Sequence, residues 1–144
     1  MEQMRYIPAF VNFFYVLEAM YANGRFGKRE VLREFEKSDD LRGFAESFLK
    51  SPTMNESPHR ESLLQILGFR QKNRDVHGLL YVLVETRGEV HHYVPTKRRR
   101  YGTPFRNHEY HTVALAAMYL ASTSIHQQLH KLSGEAKAKR SPDE

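Results

Sequence analysis

The sequence predicts an all-α domain, a bundle of about five helices, and three observations carry that prediction. Apolar residues recur at three- and four-residue spacing in one stretch after another. Between those stretches stand helix breakers: Asn23-Gly24, Ser38-Asp39-Asp40, the run from Ser51 to Pro58, and Pro95. The chain is 144 residues long with no cysteine, enough for one domain to bury a core without disulfide staples.

The elements follow in chain order. From Tyr6 to Tyr21, Ile7, Phe10, Val11, Phe14, Leu17 and Tyr21 trace a broad apolar face, widened by Phe13, Val16 and Met20. That width marks a helix buried on more than one side. Pro8 is tolerated in its first turn, and Asn23-Gly24 ends it. Glu18 sits within the apolar face and has two readings: a carboxylate at the edge of the core, or a partner for Arg87 across a helix interface. Lys28 to Phe35 gives a second helix with Val31, Leu32 and Phe35 as its buried edge. Ser38-Asp39-Asp40 supplies an N-cap for a third, Leu41 to Leu49. A further helix starts near His59 and carries Leu63, Leu64, Ile66, Leu67 and Phe69.

The stretch from Leu79 to Tyr93, LLYVLVETRGEVHHY, is where the other elements point. As a helix ending at Pro95, it aligns Leu80, Leu83, Val84, Val90 and Val94 on one stripe. Arg87 and His91 then lie one turn apart, with His92 beside them. A second reading stays open, because YVLVE and EVHHYV are rich in β-branched and aromatic residues around Thr-Arg-Gly. A hairpin over 81–94 would make the chain an α+β, winged-helix-like module that binds nucleic acid or protein. The last helix is expected to bury Ala114, Leu115, Met118, Leu120, Ala121 and Ile125. The predicted common core is Phe10, Phe14, Leu17, Leu80, Leu83, Val84, Leu115 and Met118. Residues 1–132 read as a single domain, and 133–144 as a charged, disordered tail.

A cation and an imidazole on one face can act on a phosphodiester: the arginine offsets developing negative charge while the histidine moves a proton. Arg87-Gly88-Glu89-Val90-His91-His92 has the R-x4-H form and resembles the HEPN superfamily, small all-α domains that include many metal-independent ribonucleases. The aromatic-rich segment before Leu17-Glu18 looks like the long first helix of that family. The resemblance spans roughly residues 5 to 132. It implies a HEPN-like helical bundle and an RNA-directed role. Arg87, His92 and His91 are then the candidate catalytic residues, in an endoribonuclease acting on single-stranded RNA. It also implies a homodimer and a protein partner encoded nearby, as in defence or toxin–antitoxin pairs. Many active members carry Asn, Asp or His after the arginine, where this chain has Gly88; that departure favours a non-catalytic binding or regulatory module. Two weaker echoes occur. Lys72 to His77 has lysine in the first place and reads as a loop or helix junction. Arg106 to His111 has Asn107 after the arginine but lacks the preceding apolar helix; the two motifs line one site only if their helix ends meet. A plainer reading of Arg87 and the histidines is that they sit at a helix end and meet its dipole favourably.

Charge narrows the partner. The net charge is +5, with a pI near 9.5, and the excess is local: Lys97, Arg98, Arg99, Arg100 and Arg106 are interleaved with Tyr101 and Phe105. With His111, this basic cluster is the candidate nucleic-acid-binding surface; it reads equally as a solvated loop. No cofactor and no metal site is expected, since neither thiolates nor a zincin-type histidine pair with its acid is present. No signal peptide is apparent, and no run approaches the roughly eighteen apolar residues of a membrane span. A cytoplasmic protein that does not meet the membrane is the expectation.

Overall fold

A computed structural model describes residues 3–91 and 107–140. It contains seven helices among those residues and no strand. They are α1 (Gln3–Tyr21), α2 (Lys28–Lys37), α3 (Asp39–Lys50), α4 (Pro52–Asn55), α5 (His59–Phe69), α6 (Val76–His91) and α7 (Asn107–Arg140). The all-α class holds, and the helix count exceeds the five expected. The short α4 falls in a stretch that composition marks as loop, with Pro52 in its first turn and Met54 fully buried.

The hairpin reading of 81–94 does not hold where the structure describes that stretch, since α6 runs through to His91. Strand preference in Val82, Val84 and Val90 yields to burial on several sides at once. Leu79, Leu80, Val82, Leu83 and Val84 are each at most 3% exposed. Start signals agree: the Asp75 carboxylate accepts from the Gly78 amide at 2.8 Å, satisfying a donor of the first turn. Inside the helix, the buried Thr86 hydroxyl donates to the Val82 carbonyl at 2.7 Å, so its polar group is not orphaned. Gly78 is required for another reason. A Cβ there would collide with the backbone carbonyl of Asn73.

α1 and α7 form the spine and run parallel. Tyr6 stacks on His111 near the start of both, and the Tyr21 hydroxyl donates to Ser124 Oγ at 2.7 Å near the far end of α1. α3 lies antiparallel on α7, with Phe48 against Tyr119 and Asp40 beside Lys131. α2 lies antiparallel on α6, held by Lys28 to Glu85 at one end and Glu36 to His77 at the other. Phe10, Phe14 and Leu17 of α1 join Phe35, Leu80 and Leu83 in the core, all at 0% exposure.

α7 departs from expectation in two ways. Its buried side is Val113, Ala114, Ala116, Ala117, Leu120, Ala121 and Ser124, while Met118 and Ile125 are 39% and 43% exposed and Leu115 is half-buried. Small residues let the α7 backbone approach a neighbour that already carries Phe10 and Phe14, so bulk is not the guide to burial here. The helix also continues to Arg140 instead of ending in disorder at 133. Ala, Lys, Glu and Arg extend an existing helix readily, because no new nucleus is needed.

Candidate functional site

The segment Glu85-Thr86-Arg87-Gly88-Glu89 on the last turns of α6 ties three other elements together. Glu85 faces Lys28 at the start of α2 at 3.6 Å, Arg87 faces Glu18 of α1, and Glu89 accepts from Arg70 beyond α5 at 3.0 Å. Glu85 and Glu89, one turn apart, share a face of the helix while Arg87 between them points to the other side, and each meets an opposite charge. Counted together, the three cations and three carboxylates cancel. Desolvation by burial is the main influence on Glu89 and raises its pKa, with the neighbouring Arg70 cation pulling the other way.

Glu18 is therefore the partner of Arg87, the second of its two sequence readings. The carboxylate lies against the guanidinium: Oε2 accepts from Nη2 at 3.1 Å, while Oε1 and Nε are in ion-pair contact without forming a hydrogen bond. The two side chains keep 14% and 19% of their exposure. Phe14 supports the plane from below, with its ring centroid 5.8 Å from the guanidinium carbon. A guanidinium hydrogen-bonded through one N–H of Nη2 retains donors on Nη1 and Nη2 for a second acceptor. Among the described residues, no other group hydrogen-bonds it.

Gly88 has a visible use. A Cβ at this position would run into Lys28 Cε and come within 2.8 Å of its Nζ. The lysine stem lies over the glycine and carries its ammonium toward Glu85. The residue after the arginine thus leaves room for the flexible end of Lys28.

The remaining sequence candidates separate. His91 closes α6 as its last residue, while His92 and the basic cluster Lys97, Arg98, Arg99, Arg100 and Arg106 lie outside the described residues. His111 lies early in α7, in a different setting. It stacks on Tyr6 at 4.5 Å between centroids and meets His59 edge-on at 5.1 Å. Burial lowers its pKa, and the neighbouring His59 lowers it further. Glu18 and Tyr6 are twelve residues apart on α1, about 18 Å along the axis, so Arg87 and His111 do not line one site. In the Lys72–His77 echo, Lys72 covers the Tyr81 ring at 4.2 Å and His77 pairs with Glu36. That motif is a helix junction, as its loop-like composition implies.

Sequence reasoning missed Arg70, which is 7% exposed and bonded to Glu89, and Arg74. The Arg74 guanidinium donates to the Leu49 carbonyl at 2.7 Å and to Asn55 Oδ1 at 3.1 Å, pinning the end of α3 to α4. Nothing in a polar run such as RQKNRD distinguishes a pinned arginine from a solvated one. Among the described residues, no group of three or more potential metal ligands occurs, and no helix is long and apolar enough to cross a membrane. Comparison of the chain with family models, with curated proteins and with solved structures finds no match.

Proposed function

We propose that this chain is an RNA-directed domain of the HEPN kind, in which Arg87 engages a phosphate of single-stranded RNA and His92, or His91, moves the proton in a metal-independent cleavage. The observation that carries the reading is the ion pair of Glu18 with Arg87, with its hydrogen bond through Nη2. It holds the guanidinium while leaving donors on Nη1 and Nη2, and the R-x4-H motif then runs from this residue through the end of α6. A pre-positioned bidentate donor suits a phosphodiester, which presents two non-bridging oxygens.

The chemistry needs no nucleophile from the protein. The ribose 2′-oxygen attacks phosphorus, and its proton passes to a neutral imidazole. The bond from phosphorus to the 5′-oxygen breaks, and that oxygen leaves with a proton returned by the imidazolium, directly or through water. A 2′,3′-cyclic phosphate and a 5′-hydroxyl end result. Arg87 offsets the charge that builds on the phosphoryl oxygens in between. The charges on α6 cancel locally, so attraction of the strand falls to the Lys97–Arg100 run, and activity declines as salt rises.

Gly88 favours a second reading, in which the domain binds RNA or a protein partner without cutting. The position after the arginine holds Lys28 in place of a polar side chain beside the phosphate. The test is wild type against Arg87→Ala and His92→Ala on end-labelled single-stranded RNA in EDTA, with binding measured in parallel. Cleavage by wild type that both variants lose supports the enzyme. Equal binding by all three proteins with no cleavage, alone or with the product of a neighbouring gene, leaves the binding module.

A further inference from the structure

The exposed side of α7 carries a pattern that the domain itself does not use. Met118, Ser122, Ile125, Leu129, Leu132 and Ala136 follow one another at alternating spacings of four and three residues, which is the heptad rhythm of a coiled-coil seam. Met118, Ile125, Leu129 and Leu132 are 39%, 43%, 60% and 50% exposed. The seam is distinct from the face that packs on α1: Ile125 follows the buried Ser124 and stands roughly 100° further round the helix.

The helix also outruns its domain. Among the described residues, the last ion pair tying α7 to the bundle joins Lys131 to Asp40, and every side chain from Gln128 to Arg140 is exposed. A lone helical extension of that length is marginal in water, and large apolar residues at seam spacing on it call for a partner helix.

We propose that α7 pairs with the α7 of a second copy of this chain, as a parallel, in-register two-stranded coiled coil along Met118–Ala136. Three features select this occupant. A 3.5-residue repeat is matched by a helix with the same repeat, and α7 itself supplies one. In a parallel pair, Glu135 flanks the seam five residues before Arg140 of the other copy, the spacing at which flanking charges meet; two-fold symmetry makes the contact twice. Ser122, the polar residue within the seam, faces its own counterpart only in this register, so that each hydroxyl finds a hydroxyl. Lys139 at the next seam position ends the run. This inference does not depend on the RNA reading.

The test is sedimentation equilibrium of the full chain over micromolar concentrations, beside Ile125→Glu/Leu129→Glu. Both positions are exposed in the single chain, so the variant keeps its fold, which circular dichroism checks. Wild type is expected to be a dimer, and the double variant a monomer with a dissociation constant raised roughly a hundredfold or more. Because the chain has no cysteine, Ser122→Cys reports register: a parallel pair brings the two positions within disulfide reach, and oxidation gives a covalent dimer. A wild type that stays monomeric overturns the proposal, as does a dimer indifferent to the double substitution. A dimer lost on substitution but not linked through Ser122→Cys overturns the parallel register.

Discussion

Breaking the Glu18–Arg87 pair is the perturbation that bears most directly on how α1 and α6 are joined. At the 3.1 Å of the Nη2 contact, two unit charges attract by about 5 kcal/mol at an effective dielectric of about 20. Desolvation of both ions takes back much of that. Exposed pairs retain roughly 0.2–1 kcal/mol, whereas removing one partner of a buried pair costs roughly 3–5 kcal/mol. With 14% and 19% of the two side chains still exposed, this pair sits nearer the buried limit. Arg87→Met, which removes the guanidinium that Glu18 pairs with, is expected to cost about 2–3 kcal/mol, and Glu18→Gln, which keeps an acceptor, about 1–2 kcal/mol. The double variant removes both charges together and should cost less than the sum, with a coupling of about 1–2 kcal/mol. Urea unfolding of the four proteins measures all of this, provided the denaturant slopes agree. Two single variants that each cost under about 0.5 kcal/mol and add without coupling would show that the pair does not join the helices.

Leu83 is fully buried, so Leu83→Ala should cost about 2–5 kcal/mol in the same assay. Gly78→Ala places a methyl against the Asn73 backbone and Gly43→Ala places one in open space; the first should destabilise by about 1–3 kcal/mol and the second stabilise by up to about 1 kcal/mol, readable as opposite shifts in Tm. Gly88→Ala meets only the flexible end of Lys28, so combining it with Lys28→Ala should recover helix propensity of up to about 1 kcal/mol, less the loss of the exposed Lys28–Glu85 pair. The pKa of His111 is depressed by burial and by His59, so at pH values below about 6.5 the unfolded chain binds a proton that the folded chain resists. Stability is then full above that pH and falls as the pH drops toward the depressed folded value. His111→Phe, which keeps a stacking ring beside Tyr6, should flatten this part of the stability–pH curve.

Much of the helical frame was legible because the residues that build it act locally. Phe10, Phe14 and Leu17 mark a face by spacing alone, and Ser38 caps α3 by accepting from the Leu41 amide at 3.1 Å. α6 was ambiguous because valines suit either state in isolation. Its surroundings decide the matter, and sequence periodicity does not describe surroundings. Met118 and Ile125 read as core for a related reason: apolar residues on a long helix serve whichever neighbour is present, and α1 takes the alanine side. Of the candidate site, the Glu18–Arg87 pairing was legible as one of two readings, since a carboxylate inside an apolar face needs a partner. The contacts of Arg70, Arg74 and Lys28 were not. They depend on how chain ends far apart in sequence meet, and a flexible cation in a polar run carries no mark of where it will land.

The proposal that Arg87, with His92 or His91, acts on RNA through the substrate's own 2′-hydroxyl is tested most directly with a paired substrate. One single-stranded RNA is prepared twice, once unmodified and once with 2′-deoxyribose on the 5′ side of the bonds that are cut, and each is incubated with the protein in EDTA. The account predicts cleavage of the first, leaving 2′,3′-cyclic phosphate or its opened product, and no cleavage of the second. Equal cleavage of both, or no cleavage of either, would contradict it.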